Sequence, residues 1–156
     1  MVQLVFTIAG ALCATLVVFQ DSGAAQNKAL VRRVFTDLLT AGRYEAASDI
    51  YARDFVNHGP KDLRYDENIA DIRGWRQAFP DLEMIVDNEV AEGDFVTVLW
   101  HGRGTNTGSG NGLNATGKRA EGRGISVFRV HDGRIREEWT EYSGVSLMRQ
   151  LGLLPS

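Results

Sequence analysis

Apolar residues recur along the chain with two rhythms. From Asn27 to Thr40 they fall at Leu30, Val31, Val34, Phe35, Leu38 and Leu39, the stripe of an amphipathic helix that Gly42 ends. A second helix is predicted over Tyr44–Tyr51, with Ala46, Ala47 and Ile50 on its apolar side. Asp54–His58 reads as a brief strand stopped by Gly59-Pro60. A third helix covers Tyr65–Phe79, with Ile69, Ile72, Trp75, Ala78 and Phe79 roughly in phase and Pro80 closing it. Beyond Pro80 the period changes to two. Strands are predicted at Leu82–Ala91, Phe95–Thr105, Arg119–Val130 and Ile135–Tyr142, with turns at Glu92-Gly93-Asp94 and His131-Asp132-Gly133. The glycine-rich stretch Asn106–Gly117 predicts a long mobile loop, and Val145–Leu151 a short last helix. Helices followed by four hairpin-connected strands predict an α+β fold: a cone-shaped, curved antiparallel sheet with helices packed on one face and a cavity at one end.

The first residues are of different composition. Leu4–Phe19 is nearly all apolar or small, and the only charge before Lys28 is Asp21. Sixteen residues fall short of the roughly 20 a spanning helix needs. They suit the apolar core of a secretion signal, with Gly23-Ala24-Ala25 as small residues for cleavage. The expectation is a signal over 1–25, a domain over 26–156, and export to the periplasm or beyond. The alternative is an uncleaved N-terminal helix that anchors the protein to a membrane.

Composition narrows the function. The chain has 156 residues, 44% of them hydrophobic and 24% charged, as befits one globular domain. Its single cysteine, Cys13, excludes an internal disulfide framework and a cysteine-built zinc site. A net charge of −3 without a basic run speaks against a nucleic-acid partner. No phosphate loop, dinucleotide fingerprint or nucleophile elbow is present. Gly102-Arg103-Gly104 and Gly122-Arg123-Gly124 lie inside predicted strands, where glycine reads as a bulge or bend.

Candidate chemistry rests on proton transfer. His58 ends a short strand at the expected mouth of the sheet, and His101 follows Trp100 in a later strand; His131 sits in an exposed turn. No ligand-spacing motif supports a metal, and no cofactor is called for. In the last strand, strict alternation places Ile135, Glu137, Trp139, Glu141 and Ser143 on one face. Arg134, Arg136, Glu138, Thr140 and Tyr142 take the other, and either face could line the cavity. A carboxylate beside Trp139 in an apolar cavity would hold its proton more tightly and suit a general base near neutral pH. Glu141 is the candidate. The plainer reading has Glu137 and Glu141 on a solvated rim, paired with Arg123 or Arg129.

Several segments together resemble the SnoaL-like polyketide cyclases, or ester cyclases. They are Phe55-Val56-Asn57-His58, Trp75–Leu82, Ala91–Asp94, Gly104–Gly108 and Thr116–Arg119. The strongest are Gly124–Arg129, Asp132–Ile135, Glu137-Glu138-Trp139 and Leu151–Pro155. The resemblance covers nearly all of residues 27–156. It implies the nuclear transport factor 2-like fold, a homodimer, and a cofactor-independent, metal-free intramolecular aldol closure run by an acidic residue. Ser143 stands where members usually carry an aspartate, and Asn106 where many carry histidine. The resulting expectation is an acid/base enzyme of cyclase or isomerase type, acting on a small apolar carbonyl compound. His58, Glu141 and His101 are its catalytic candidates; Trp75, Trp100, Trp139, Tyr142 and Ser143 are its binding candidates. The alternative is an exported protein of the same fold that binds a small hydrophobic ligand without turnover.

Overall fold

A computed structural model describes residues 23–155. The expected secretion signal therefore lies outside the described residues except at 23–25, which begin helix α1. Helix α1 spans 23–40, and its last seven residues, Val34–Thr40, are wound as a π-helix. The wider turn departs from the regular helix expected here. It brings Val34, Phe35 and Leu38 together into the core, and Ala41 N–H reaches back five residues to the Thr36 carbonyl. A 3₁₀ turn, Tyr44–Ala46, leads into the one-turn α2, Ala47–Ile50. Strand β1, Tyr51–His58, is longer than its sequence signal, and a two-residue β2, Leu63–Arg64, was not foreseen. Helix α3 spans Tyr65–Ala78; its start is fixed by Glu67, whose carboxylate accepts the Arg64 N–H at 3.0 Å. Strands β3 (Glu83–Glu92), β4 (Phe95–Thr105), β5 (Arg119–His131) and β6 (Arg134–Tyr142) follow close to their predicted limits. Helix α4, Gly144–Leu151, ends on Gly152, whose φ of +73° is a conformation glycine adopts without strain.

The six strands form one sheet in the order β2-β1-β6-β5-β4-β3. All neighbours are antiparallel except β1 and β6, which run parallel. The architecture is the expected α+β cone. Its narrow end is filled by α1 packed on the inner face of the sheet, where Val31, Leu38, Ile50, Phe55, Val96, Val98, Phe128 and Ile135 are all wholly buried. Each such side chain contributes on the order of 1.5–3 kcal/mol through the water it sheds.

Two local features shape the open end. The first is a bulge in β6. Val130 pairs with Ile135 and Arg129 with Glu137, so Arg136 is the extra residue. Ile135 and Glu138, three apart, consequently both face inward. The second is a set of inward-facing glycines, with Gly102 paired to Gly122, Trp100 to Gly124 and Gly104 to Ala120. The β4–β5 register runs unbroken through them, so of the bulge or bend their sequence suggested they form no bulge in this pair. At Gly124 a Cβ would lie 2.3 Å from the Trp100 ring, so glycine lets the indole lie flat across β5.

The stretch expected as a mobile loop is tied down instead. Asn106 is completely buried; its Nδ2 donates to the Ala78 carbonyl at 3.0 Å, and its Oδ1 accepts from Thr116 N–H at 2.9 Å. Gly108 and Gly110 press against α3 so closely that a Cβ on either would fall 2.0 Å from a backbone oxygen.

Candidate active site

Between the sheet, α1 and α3 lies a cavity of about 360 Å³. Its walls are mostly hydrocarbon, supplied by Phe35, Ile72, Trp75, Phe79, Trp100 and Phe128. Trp75 meets Tyr142 edge-on with ring centres 6.0 Å apart. Gly102 and Gly122 floor one side with bare backbone.

A small polar group is set into this apolar lining: Glu138, Thr140, Ser126, Asp71, Asn68, Asn57 and Tyr51. Glu138 is its centre and is buried. A chain of hydrogen bonds ends on it. Trp100 Nε1 donates to Ser126 Oγ at 2.9 Å, Ser126 and Thr140 hydroxyls are 2.6 Å apart, and Thr140 Oγ1 donates to Glu138 Oε1 at 2.9 Å. Because an indole can only donate, and an ionised carboxylate can only accept, the direction of the chain is fixed when Glu138 is charged. Burial pushes the Glu138 carboxyl up to about 7, and the nearby Asp71 charge adds to the rise. The Thr140 hydroxyl bond opposes it. Asp71 is itself raised by burial. It is held by the tethered loop, since Asn111 Nδ2 donates to its carbonyl at 3.0 Å and its carboxylate at 3.1 Å. Gly74 makes room for that contact, because a Cβ there would lie 1.8 Å from Asn111 Oδ1.

The structure gathers only part of the expected site. Trp75, Trp100 and Tyr142 line the cavity. Glu141, Trp139 and Ser143 do not. The bulge at Arg136 shifts the alternation, so Glu137, Trp139 and Glu141 share the outer face of the sheet while Glu138, Thr140 and Tyr142 face the cavity. Glu141 is exposed there, and Ser143 serves as a junction, its Oγ accepting the Arg123 N–H at 3.0 Å at the start of α4. His58 reaches the cavity rim, but its ring stacks on Trp139 at 4.8 Å and its Nε2 lies 3.5 Å from Glu137, both on the outer face. His101 also points outward, with Nδ1 2.8 Å from an Asp87 carboxylate oxygen. Sequence reasoning passed over Glu138, Asp71, Asn68 and Tyr51. A signal was available for Glu138, since Thr140 and Tyr142 follow it in alternation. The offset Asn68-x-x-Asp71 likewise places both residues on one side of α3.

The chain resembles known proteins over this same region. Residues 29–151 match the family model described as SnoaL-like polyketide cyclase. Aklanonic acid methyl ester cyclase DnrD of Streptomyces peucetius is 30% identical over 132 residues, covering 79% of this chain and 88% of that protein. The corresponding cyclase DauD of Streptomyces sp. (strain C5) is 31% identical over 134 residues, covering 79% and 80%. Among solved structures, AclR of Streptomyces galilaeus superposes with a TM-score of 0.77 at 25% identity, covering 85% of both chains. TsrD of Streptomyces laurentii gives 0.76 at 26% identity, covering 83% of this chain and 97% of its own. With the curved sheet, the helices closing it and the sequence match all pointing the same way, the chain belongs to the SnoaL-like polyketide cyclase family.

Proposed function

We propose that the protein is an acid/base cyclase in which Glu138 moves the proton. The substrate is a small, largely apolar molecule bearing a carbonyl with an acidic C–H beside it. Ionised Glu138 takes that proton; the C–H pair becomes the enolate C=C and the carbonyl π pair moves onto oxygen. The enolate carbon then bonds to a second carbonyl of the same molecule, whose oxygen recovers the proton from Glu138. Nothing is gained or lost overall. The apolar walls hold the two ends of the substrate together and keep water from the enolate.

One observation carries this reading: a carboxyl buried within an apolar cavity, where burial pushes it up to about 7. Such a group is half ionised at working pH and can both take and return a proton. The cyclase relatives support the reaction class.

The test is to incubate the full-length protein with aklanonic acid methyl ester, the compound in the names of its relatives, and with simpler 1,5-dicarbonyl esters. Ring-closed product is followed by chromatography. Turnover that vanishes in Glu138→Gln supports the proposal. Saturable binding of these compounds without turnover in any of them would favour the non-catalytic ligand-binding reading.

A further inference from the structure

One side chain joins the cavity to the outer face of the sheet. His58 ends β1, and the segment it leads into, Gly59-Pro60-Lys61 and Leu63, forms one edge of the cavity's opening. The His58 ring lies between two carboxylates. Its Nδ1 is 3.5 Å from Asp62 Oδ1, and its Nε2 is 3.5 Å from Glu137 Oε1. Nε2 is also buried and forms no hydrogen bond. A neutral imidazole carries one N–H, so whichever nitrogen holds it, the other turns a lone pair towards a carboxylate. Only the imidazolium can donate to both. Histidine is the side chain that ordinarily changes charge between pH 5 and 8.

The surrounding groups decide which partner feels that charge. Glu137 is held from β5, because its Oε2 accepts from Arg129 Nε. The imidazole is held by Trp139, on which it stacks with ring planes 18° apart. Lys61 faces Glu67 of α3 at 2.8 Å. Glu138 and Asp71 are the carboxyls of the cavity itself. Asp62 is the least restrained of the set, with a side chain 52% exposed and His58 as its ion-pair partner among the described residues. From this arrangement we infer that His58 is a proton-operated clasp on the cavity's entrance. With the ring charged, Glu137 takes one nitrogen and Asp62 the other, and the segment between β1 and β2 is tied to the sheet beside the opening. With the ring neutral, one tie is lost and the entrance loosens. On the proposed function, exchange of guests slows in the same acid range in which Glu138 is protonated and idle as a base.

The probe is N-phenyl-1-naphthylamine, which is apolar, uncharged between pH 5 and 8, and brightens on leaving water. Its dissociation from the full-length protein is followed by stopped flow at pH 5 and pH 8, in a Glu138→Gln background so that this carboxyl does not titrate. The expected result is dissociation about two- to fivefold slower at pH 5, the worth of an exposed ion pair. In His58→Gln, which stays neutral, and in Asp62→Asn, the two rates should agree and match that of the background protein at pH 8. Amide exchange at Gly59, Lys61 and Asp62, corrected for its intrinsic pH dependence, should show the same gain in protection at pH 5 and lose it in both variants. The exchange measurement needs no guest, so it decides the question even where the probe does not bind. Dissociation and protection that do not change with pH, or a change that survives in both variants, overturns the clasp. Neither result bears on whether turnover vanishes in Glu138→Gln, so the clasp and the acid/base reading fail separately.

Discussion

Glu137 and Glu138 are adjacent in β6 and carry the same carboxyl group, yet their surroundings shift it in opposite directions. Glu137 faces outward, where the hydrogen-bonded Arg129 guanidinium and the His58 ring hold its carboxyl below the usual glutamate range. Glu138 faces inward, where burial and Asp71 lift it to about 7. Neither difference is written in residue type. It follows from the face each occupies, and the faces are assigned by one extra residue, Arg136. The outer half of the strand thus carries ion pairs with partners, and the inner half a carboxyl whose solvation has been replaced by one hydroxyl. A strand can hold two carboxyls shifted in opposite directions on successive residues because its pleat separates their environments.

Replacing Glu138 by Gln breaks this contrast most severely. Turnover should fall by about 10²–10⁴-fold, the usual worth of a general acid/base, while Glu137→Gln and Glu141→Gln stay within about threefold of the parent. A loss at Glu141 as large as that at Glu138 would move the chemistry to the outer face.

Stability should show the same contrast through pH. Glu138 is raised from 4.5 to about 7 in the folded state. The folded protein therefore binds the proton more tightly than the unfolded chain does. The contribution of Glu138 to stability is constant below about pH 4 and declines as pH rises from there towards 7. At about 1.4 kcal/mol per pH unit the full decline is on the order of 3 kcal/mol. In urea melts, Glu138→Gln should thus gain about that much on the parent between pH 4 and pH 8. Glu137 has the opposite sign: its contribution is present at neutral pH and fades as pH falls through the lowered folded value. Glu137→Gln should therefore be slightly less stable than the parent at pH 8 and converge with it in acid.

Deleting Arg136 sharpens the argument about the bulge. Regular alternation from Ile135 would then still place Glu138 inside, so the pH profile should be retained. The cost should be about 1 kcal/mol, from the lost ion pair with Asp54. A profile moved to the ordinary carboxylate range would show that the bulge does more than count residues.

The smallest effect is expected from Thr140→Val. Removing a donor that favours the charged carboxylate should move the acid limb of the rate profile to higher pH, lowering turnover a few-fold at pH 6 with little change at pH 9.

The two long helices and the four long strands were legible in the sequence because their apolar spacing is regular over about nine residues or more. The family was legible from Gly124–Arg129 and Glu137-Glu138-Trp139. The inner face of β6 was not. Strict alternation from Ile135 points to Glu137, Trp139 and Glu141, and a bulge leaves no local residue signature when its extra position is an arginine. The outward turn of His58 was hidden for a related reason. Its stacking on Trp139 depends on β1 pairing parallel to β6, a contact between residues 81 positions apart. Tyr51 was passed over because it closes the predicted second helix instead of opening β1, and Asn68 because a polar residue, even in phase with Ile72 and Trp75, reads as exposed. The glycine-rich loop was read from composition, which says nothing of how closely Gly108 and Gly110 approach α3.

The paired glycines at the wide end have a consequence for what such a chamber can admit. A Cβ at Gly122 meets no atom within 4 Å, whereas one at Gly102 collides with Met84 at 2.5 Å. Residue 122 is thus a place where size alone can be dialled: alanine, valine or leucine there would shorten the chamber stepwise without moving the acid. On the proposed function, descendants of this chain could trade one guest for a smaller one by a single codon without touching Glu138.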